Sequence, residues 1–239
     1  VEEILSNLKS VSLVLVSSTV PKSYEDVRTA ASKFDKVETI KLDHNIILKR
    51  LRTFSVAYDV NKLGSDRLIA ATGAFIFLND SKRNAESFEA SIVVDAGTAV
   101  NVEVILRDKG YIGGSISPGF RLMREVLCSG TAQLPLGDVG AEMHAPKSVG
   151  TCTLECIASG VFSSVCGGVY DIVSRICRHG PLKDLNRVCV IITGGDCDCL
   201  LKHLKGDLEN NISNVRLVTS QPLYILKSMR TIFEMSASS

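Results

Sequence analysis

Three short turns along the chain hold the residue types that phosphate chemistry needs. One is Asp95-Ala96-Gly97-Thr98, which follows the apolar run Ile92-Val93-Val94 and precedes an alternation of Val100, Val102 and Val104 with Asn101 and Glu103. That pattern predicts a strand, a tight turn and a second strand. Gly97 removes a side chain where backbone must come close to a ligand, while the Asp95 carboxylate and the Thr98 hydroxyl can meet a cation and a phosphate together. The same four residues also suit an ordinary β-turn that uses Asp and Gly for geometry alone. Upstream, Gly64-Ser65-Asp66-Arg67 opens an apolar stretch from Leu68 to Leu78 that predicts a helix, with Ser65 or Asp66 as its cap. Downstream, Thr193-Gly194-Gly195 closes the apolar run Val188 to Ile192, which predicts a buried strand.

The remaining elements are those that must position these turns. Val1 to Lys9 has helical spacing, Val11 to Val16 reads as a strand, Tyr24 to Phe34 as a helix, and Val37 to Leu42 as a strand before the polar Asp43-His44-Asn45. Leu48 to Thr53 is basic and reads as a solvated face; Tyr58 to Asn61 reads as a loop, and the polar Ser81 to Glu89 as a linker. The second half opens with three strands between Ser91 and Gly119, then a helix from Phe120 to Leu127 and a loop with Pro135, Gly137 and Gly140. Helices at Cys152 to Cys166 and Gly168 to Cys177 end at Gly180-Pro181, and after the Val188 strand come a helix through Leu204, a strand at Val215 to Val218 and a helix to Met235. Two domains are expected, 1–90 and 91–239.

Composition limits the function classes. The 239 residues are 45% hydrophobic and 22% charged, as in an ordinary globular protein. Lys and Arg number 27 against 26 acidic residues, and a net charge of +1 leaves no electrostatic footprint for nucleic acid or an anionic membrane. No apolar run approaches the roughly 20 residues of a bilayer span, and Val1-Glu2-Glu3 is acidic where an export signal is basic. The eight cysteines then fit a reducing cytoplasm. Cys197, Cys199 and His203 have a partial ligand spacing without a second pair, and Cys152 and Cys156 share a helix face; packing is the expected role of both groups.

In order along the chain stand G-x-D-R at Gly64 to Arg67, D-x-G-T-A at Asp95 to Ala99, G-G-x-I-x-P-G at Gly113 to Gly119, a helix bearing Thr153, and T-G-G at Thr193 to Gly195. This ordered set resembles the type III pantothenate kinases. The resemblance implies an α/β, two-lobed actin-like (ribonuclease H-like) kinase fold with mixed sheets flanked by helices. Its first lobe would be incomplete, because nothing here matches the family's opening strands and their D-x-G-N-T turn. The implied reaction is ATP-dependent phosphorylation of pantothenate, the entry step to coenzyme A, in the cytoplasm, with Mg2+ or another divalent cation and with K+ or NH4+. A catalytically inactive homologue that binds pantothenate or nucleotide, as a regulator or hetero-oligomer subunit, is the alternative.

By resemblance, Asp66 is the catalytic base. Tyr58, Gly64, Ser65, Arg67 and Thr153 line the pantothenate site with it, Arg67 meeting the substrate carboxylate. Gly97, Thr98, Gly194 and Gly195 meet ATP, and Asp95 holds the monovalent cation. Without the resemblance these residues have plainer readings: a helix cap for Asp66, a surface arginine for Arg67, packing for Tyr58, a backbone-bonded hydroxyl for Thr153, and a simple turn for the glycines. Asn101 and Glu103 depart from the threonine and aspartate common in the family, and no ligand role is assigned to Glu103. The resemblance also implies a homodimer, in contact through the helices around Phe120 to Leu127 and Cys152 to Tyr170.

Overall fold

A computed structural model describes residues 11–18, 21–34, 37–51, 53–57, 59–80, 88–137 and 145–235. Its main sheet has six strands in the order β3-β6-β5-β4-β7-β8. These are β3 (Ser55–Val56), β4 (Ala90–Ala96), β5 (Ala99–Leu106), β6 (Gly110–Pro118), β7 (Val188–Thr193) and β8 (Val215–Ser220). Strand β5 runs antiparallel to β4 and β6, whereas β7 lies parallel to both β4 and β8. The order β6-β5-β4-β7-β8, with only β5 reversed, is the ribonuclease H-like sheet of the actin-like fold. A separate parallel pair, β1 (Leu13–Val16) and β2 (Glu38–Lys41), stands nearer the start of the chain.

The central strands are apolar without interruption because helices cover both faces of the sheet. On one face Ile92, Val94, Val190 and Ile192 pack under α4 (Phe120–Gly130), α5 (Thr153–Arg178) and α6 (Cys197–Asn211). On the other, Val93, Ile105, Cys189 and Ile191 pack under α2 (His44–Arg50), α3 (Ser65–Asn79) and α7 (Tyr224–Glu234). Helix α1 (Pro21–Ala31) packs on β1 and β2. Helix α3 packs on β4, β5, β6 and α7, so the packing crosses the sequence boundary at residue 90. The Tyr224 hydroxyl donates to the Ala70 carbonyl at 3.1 Å, and a Cβ on Gly73 would fall 2.0 Å from Ser228 Oγ, which lets α3 and α7 come close.

Several expectations are corrected. The two expected helices are one, Thr153–Arg178: Ile157, Val161, Val165, Val169, Val173 and Cys177 make one buried stripe. Burying each such side chain is worth about 1.5–3 kcal/mol, which outweighs about 1 kcal/mol for each of Gly167 and Gly168. This 26-residue helix is also long and apolar enough to cross a membrane by length and composition, although the stripe serves the sheet core. The polar Asp43-His44-Asn45 opens a helix, Asp43 capping α2 by accepting from the Ile46 amide at 2.9 Å. Half of the stretch read as a solvated basic face is therefore helix, with Leu51 buried just beyond it. Residues 1–9 and most of the expected linker lie outside the described residues.

Candidate active site

Strands β4 and β7 run parallel, with Asp95 beside Thr193, so the turns that follow them leave the same edge of the sheet. Gly194 has φ +91°, and a Cβ there would fall 2.1 Å from the Ala96 carbonyl and 2.7 Å from Asp95 Oδ1. Only glycine lets the two turns touch in this way. The Asp196 amide then donates to the Ala96 carbonyl at 3.1 Å, which ties the start of α6 to the end of β4. Gly119 closes the group from the other side: its amide donates to the Thr98 carbonyl, and a Cβ would sit 2.0 Å from the Gly97 carbonyl. The Gly97 amide is used inside its own turn, donating to Ala99 O at 3.0 Å, so Thr98 is the exposed tip. Gly195 is also exposed, with open space at its Cβ position. The Thr193 hydroxyl is buried, and its Oγ1 has no hydrogen-bond partner among the described residues.

The Gly64 to Arg67 segment reaches the same region as the first turn of α3. His44 holds it from below: Nε2 lies 2.6 Å from the Leu63 carbonyl, and since a carbonyl only accepts, that nitrogen carries the proton. Ser65 Oγ and Ser17 Oγ lie 3.0 Å apart, linking α3 to the residue after β1. The expected side-chain cap is absent: Gly64 occupies the N-cap position, with Ser65 and Asp66 inside the helix. Asp66 is exposed, its carboxylate folded back so that a Cβ on Gly64 would meet Oδ1 at 2.6 Å.

Arg67 turns the other way, into the protein. Its Nε donates to Glu103 Oε1 at 2.6 Å and its Nη2 to Oε2 at 2.9 Å, while the side chain is 11% exposed and Glu103 is fully buried. Tyr111, also fully buried, completes a triangle: its hydroxyl accepts from Arg67 Nη2 at 2.9 Å and donates to Glu103 Oε2 at 2.7 Å. Gly114, opposite Glu103 across the β5–β6 ladder, makes room for that carboxylate, since a Cβ there would lie 2.7 Å from Oε2. Glu103 is thus a site residue that sequence reasoning passed over. Its one visible signal was a carboxylate at an otherwise buried strand position, which demands a cationic partner.

Electrostatics single out Asp95. Burial, first, and then the nearby Asp66 and Glu103 carboxylates push its carboxyl above the ordinary range. Asp196, beside it at the start of α6, is likewise raised by burial. A half-buried carboxylate facing like charges calls for a cation, and its oxygen donors suit a hard one. Among the described residues no three His, Cys, Asp or Glu side chains converge as a metal-binding group. His203 packs edge-on against Phe162 at 4.8 Å, and Cys197 is buried in the core. Cys152 and Cys156 are exposed, so the packing expected of them does not occur.

Thr153 begins α5 and is exposed. It lines a groove of about 660 Å³ between α4 and α5, with Met123, Leu127, Ile157 and Val161, whose rim at Pro118 adjoins Gly119. Tyr58 lies outside the described residues. The structure therefore brings together Gly97, Thr98, Asp95, Gly194 and Gly195, links Asp66 to them through charge and Arg67 through Glu103, and places Thr153 in the adjoining groove.

A family model for type III pantothenate kinase matches residues 2–175. The chain belongs to the type III pantothenate kinase family. Similar proteins include type III pantothenate kinases of Jannaschia sp. strain CCS1, 34% identical over 187 residues, and of Flavobacterium johnsoniae, 36% identical over 166 residues. These alignments cover 76% and 69% of this chain but 63% and 61% of the relatives, so the chain spans less than two thirds of their length. A relative from Legionella pneumophila strain Corby is 29% identical over 204 residues, covering 82% of this chain and 72% of that protein. The fold is shared with the solved structure of a conserved Campylobacter jejuni protein described as a Baf family transcriptional activator. The TM-score is 0.56 at 16% identity, over 99% of this chain and 89% of the other.

The raised Asp95 carboxyl has a consequence for stability. A raised acid binds protons more tightly in the folded state, so ionising it costs stability above the folded pKa, and the cost vanishes below the ordinary value of 3.8. Asp95→Asn is expected to raise the melting temperature at neutral pH, with the gain shrinking as the pH falls toward 4. A fall in melting temperature at neutral pH would show that Asp95 is not held under electrostatic tension.

Proposed function

We propose that the protein containing this chain transfers the γ-phosphoryl group of ATP to the primary hydroxyl of pantothenate in the cytoplasm. The observation that carries this reading is the meeting of the Asp95 to Thr98, Gly119 and Thr193 to Gly195 turns at one sheet edge, within electrostatic reach of Asp66. Exposed Thr98 and Gly195 fit the nucleotide side, with Gly97 and Gly194 allowing close approach of backbone. The first turn of α3 is the acceptor side. Gly64 and Ser65 shape it, Asp66 orients the acceptor hydroxyl and takes its proton late in a loose transition state, and Arg67 attracts the substrate carboxylate. Thr153 extends the acceptor pocket from the α5 groove, and Tyr58 is assigned to it by family resemblance alone.

Asp95 is the residue to hold K+ or NH4+, and the nucleotide phosphates bring Mg2+ or another divalent cation. Such cations supply charge neutralisation between nucleotide and acceptor. The fit rests on the burial of Asp95 and on the like charges of Asp66 and Glu103 beside it, which together raise its carboxyl. The exposed apolar side chains Val126, Leu127 and Leu154 on α4 and α5 support a homodimer through that face. A purely monomeric mass at micromolar concentration would contradict it.

The catalytic assignment is tested by Asp66→Asn in the full-length protein. Turnover is expected to fall about 100-fold, in the range for loss of a positioned general base. Undiminished turnover would remove Asp66 from that role. Retained pantothenate binding with no turnover in the unmodified protein would instead favour the inactive homologue.

A further inference from the structure

The Arg67–Glu103–Tyr111 triangle lies beneath the acceptor side, and the roles proposed above leave Glu103 and Tyr111 without a task. Charged and phenolic groups buried this completely need a reason, because each gives up hydration on folding. The triangle takes three of the five guanidinium N–H groups: Nε–H and one Nη2–H go to Glu103, and the other Nη2–H goes to Tyr111. A long arginine side chain samples many rotamers, and a planar bidentate contact reinforced by a phenol holds it in one. Because Arg67 belongs to the first turn of α3, the same contact docks that turn, and Asp66 with it, onto β5 and β6. Gly114 accommodates the device, since a Cβ there would collide with the Val102 carbonyl at 2.1 Å and with Glu103 Oε2 at 2.7 Å.

We propose that Glu103 and Tyr111 are positioning residues of the acceptor site, acting through Arg67 to fix the guanidinium and the neighbouring Asp66 in the arrangement that receives a carboxylate-bearing alcohol. This rests on the kinase reading above. It differs from a purely structural role in being specific to one substrate. A contact that only held α3 to the sheet would affect nucleotide and acceptor alike.

Steady-state kinetics of the full-length protein, with ATP and pantothenate varied in turn, separate these cases. Tyr111→Phe keeps the packing and the ion pair but removes the phenol. It is expected to lower kcat/KM for pantothenate about tenfold while the KM for ATP stays within about twofold. In an Arg67→Lys background, where the fork is gone, Tyr111→Phe should add less than about twofold. Equal losses for both substrates, or the same tenfold loss in the Arg67→Lys background, would overturn the role. Should Tyr111→Phe not fold, Glu103→Gln, which keeps the side-chain length but removes the charge that fixes the guanidinium, gives the same readout. Exchange of the Arg67 Nε proton, followed by NMR, reports the clamp without turnover. Slow exchange in a protein inert toward pantothenate would mean that the kinase reading had failed and the clamp was structural only; fast exchange in an active protein would mean that the clamp itself was absent.

Discussion

The buried contact between Arg67 and Glu103 is the interaction on which the rest of the site depends. Removing one partner of such a pair typically costs about 3–5 kcal/mol, because the other is left charged in a medium that cannot solvate it. Here the two partners come from different layers, one from the first turn of helix α3 and the other from strand β5 of the sheet. Their bond sets where the helix begins relative to the sheet edge. Tyr111 and Gly114, both on β6, complete the arrangement by bonding the carboxylate and by leaving it room.

Glycines play a repeated part around this pair. Gly64, Gly114 and Gly194 each lie where a Cβ would come within 2.7 Å of a carboxylate oxygen, those of Asp66, Glu103 and Asp95 in turn. Three acids are thereby drawn into one region, and Arg67 offsets one of them directly. The remaining tension shows in the raised carboxyl of Asp95. Under the proposed kinase reading, gathered carboxylates are at odds with binding of an anionic nucleotide unless cations come too, which would tie nucleotide binding to cation binding at a cost in stability.

Much of this was legible in the sequence. The strands of the main sheet announced themselves because they are buried on both faces, as with Ile92-Val93-Val94 and Val190-Ile191-Ile192, and the glycine turns followed directly from their ends. The ordered motifs then marked the chemistry. What escaped was tertiary. Nothing local shows that Glu103 meets a residue 36 positions earlier, or that a side chain at Gly114 would meet both the Val102 carbonyl and Glu103 Oε2. The caps were missed for a similar reason. Asp43 lay in a run of polar residues that reads equally as a loop, and the α3 segment offered two better capping side chains than the Gly64 that fills the position. Two adjacent glycines gave a false break in α5, where six buried side chains overrule them.

The central claim is that three segments far apart in sequence form one ligand site. Hydrogen–deuterium exchange of the full-length protein, with and without ATP, pantothenate and potassium, tests it most directly. The account requires ATP to slow exchange at residues 95–98 and 193–195 together, and pantothenate to slow it at residues 64–67. Protection by both ligands confined to other parts of the chain, with these three segments unchanged, would contradict it.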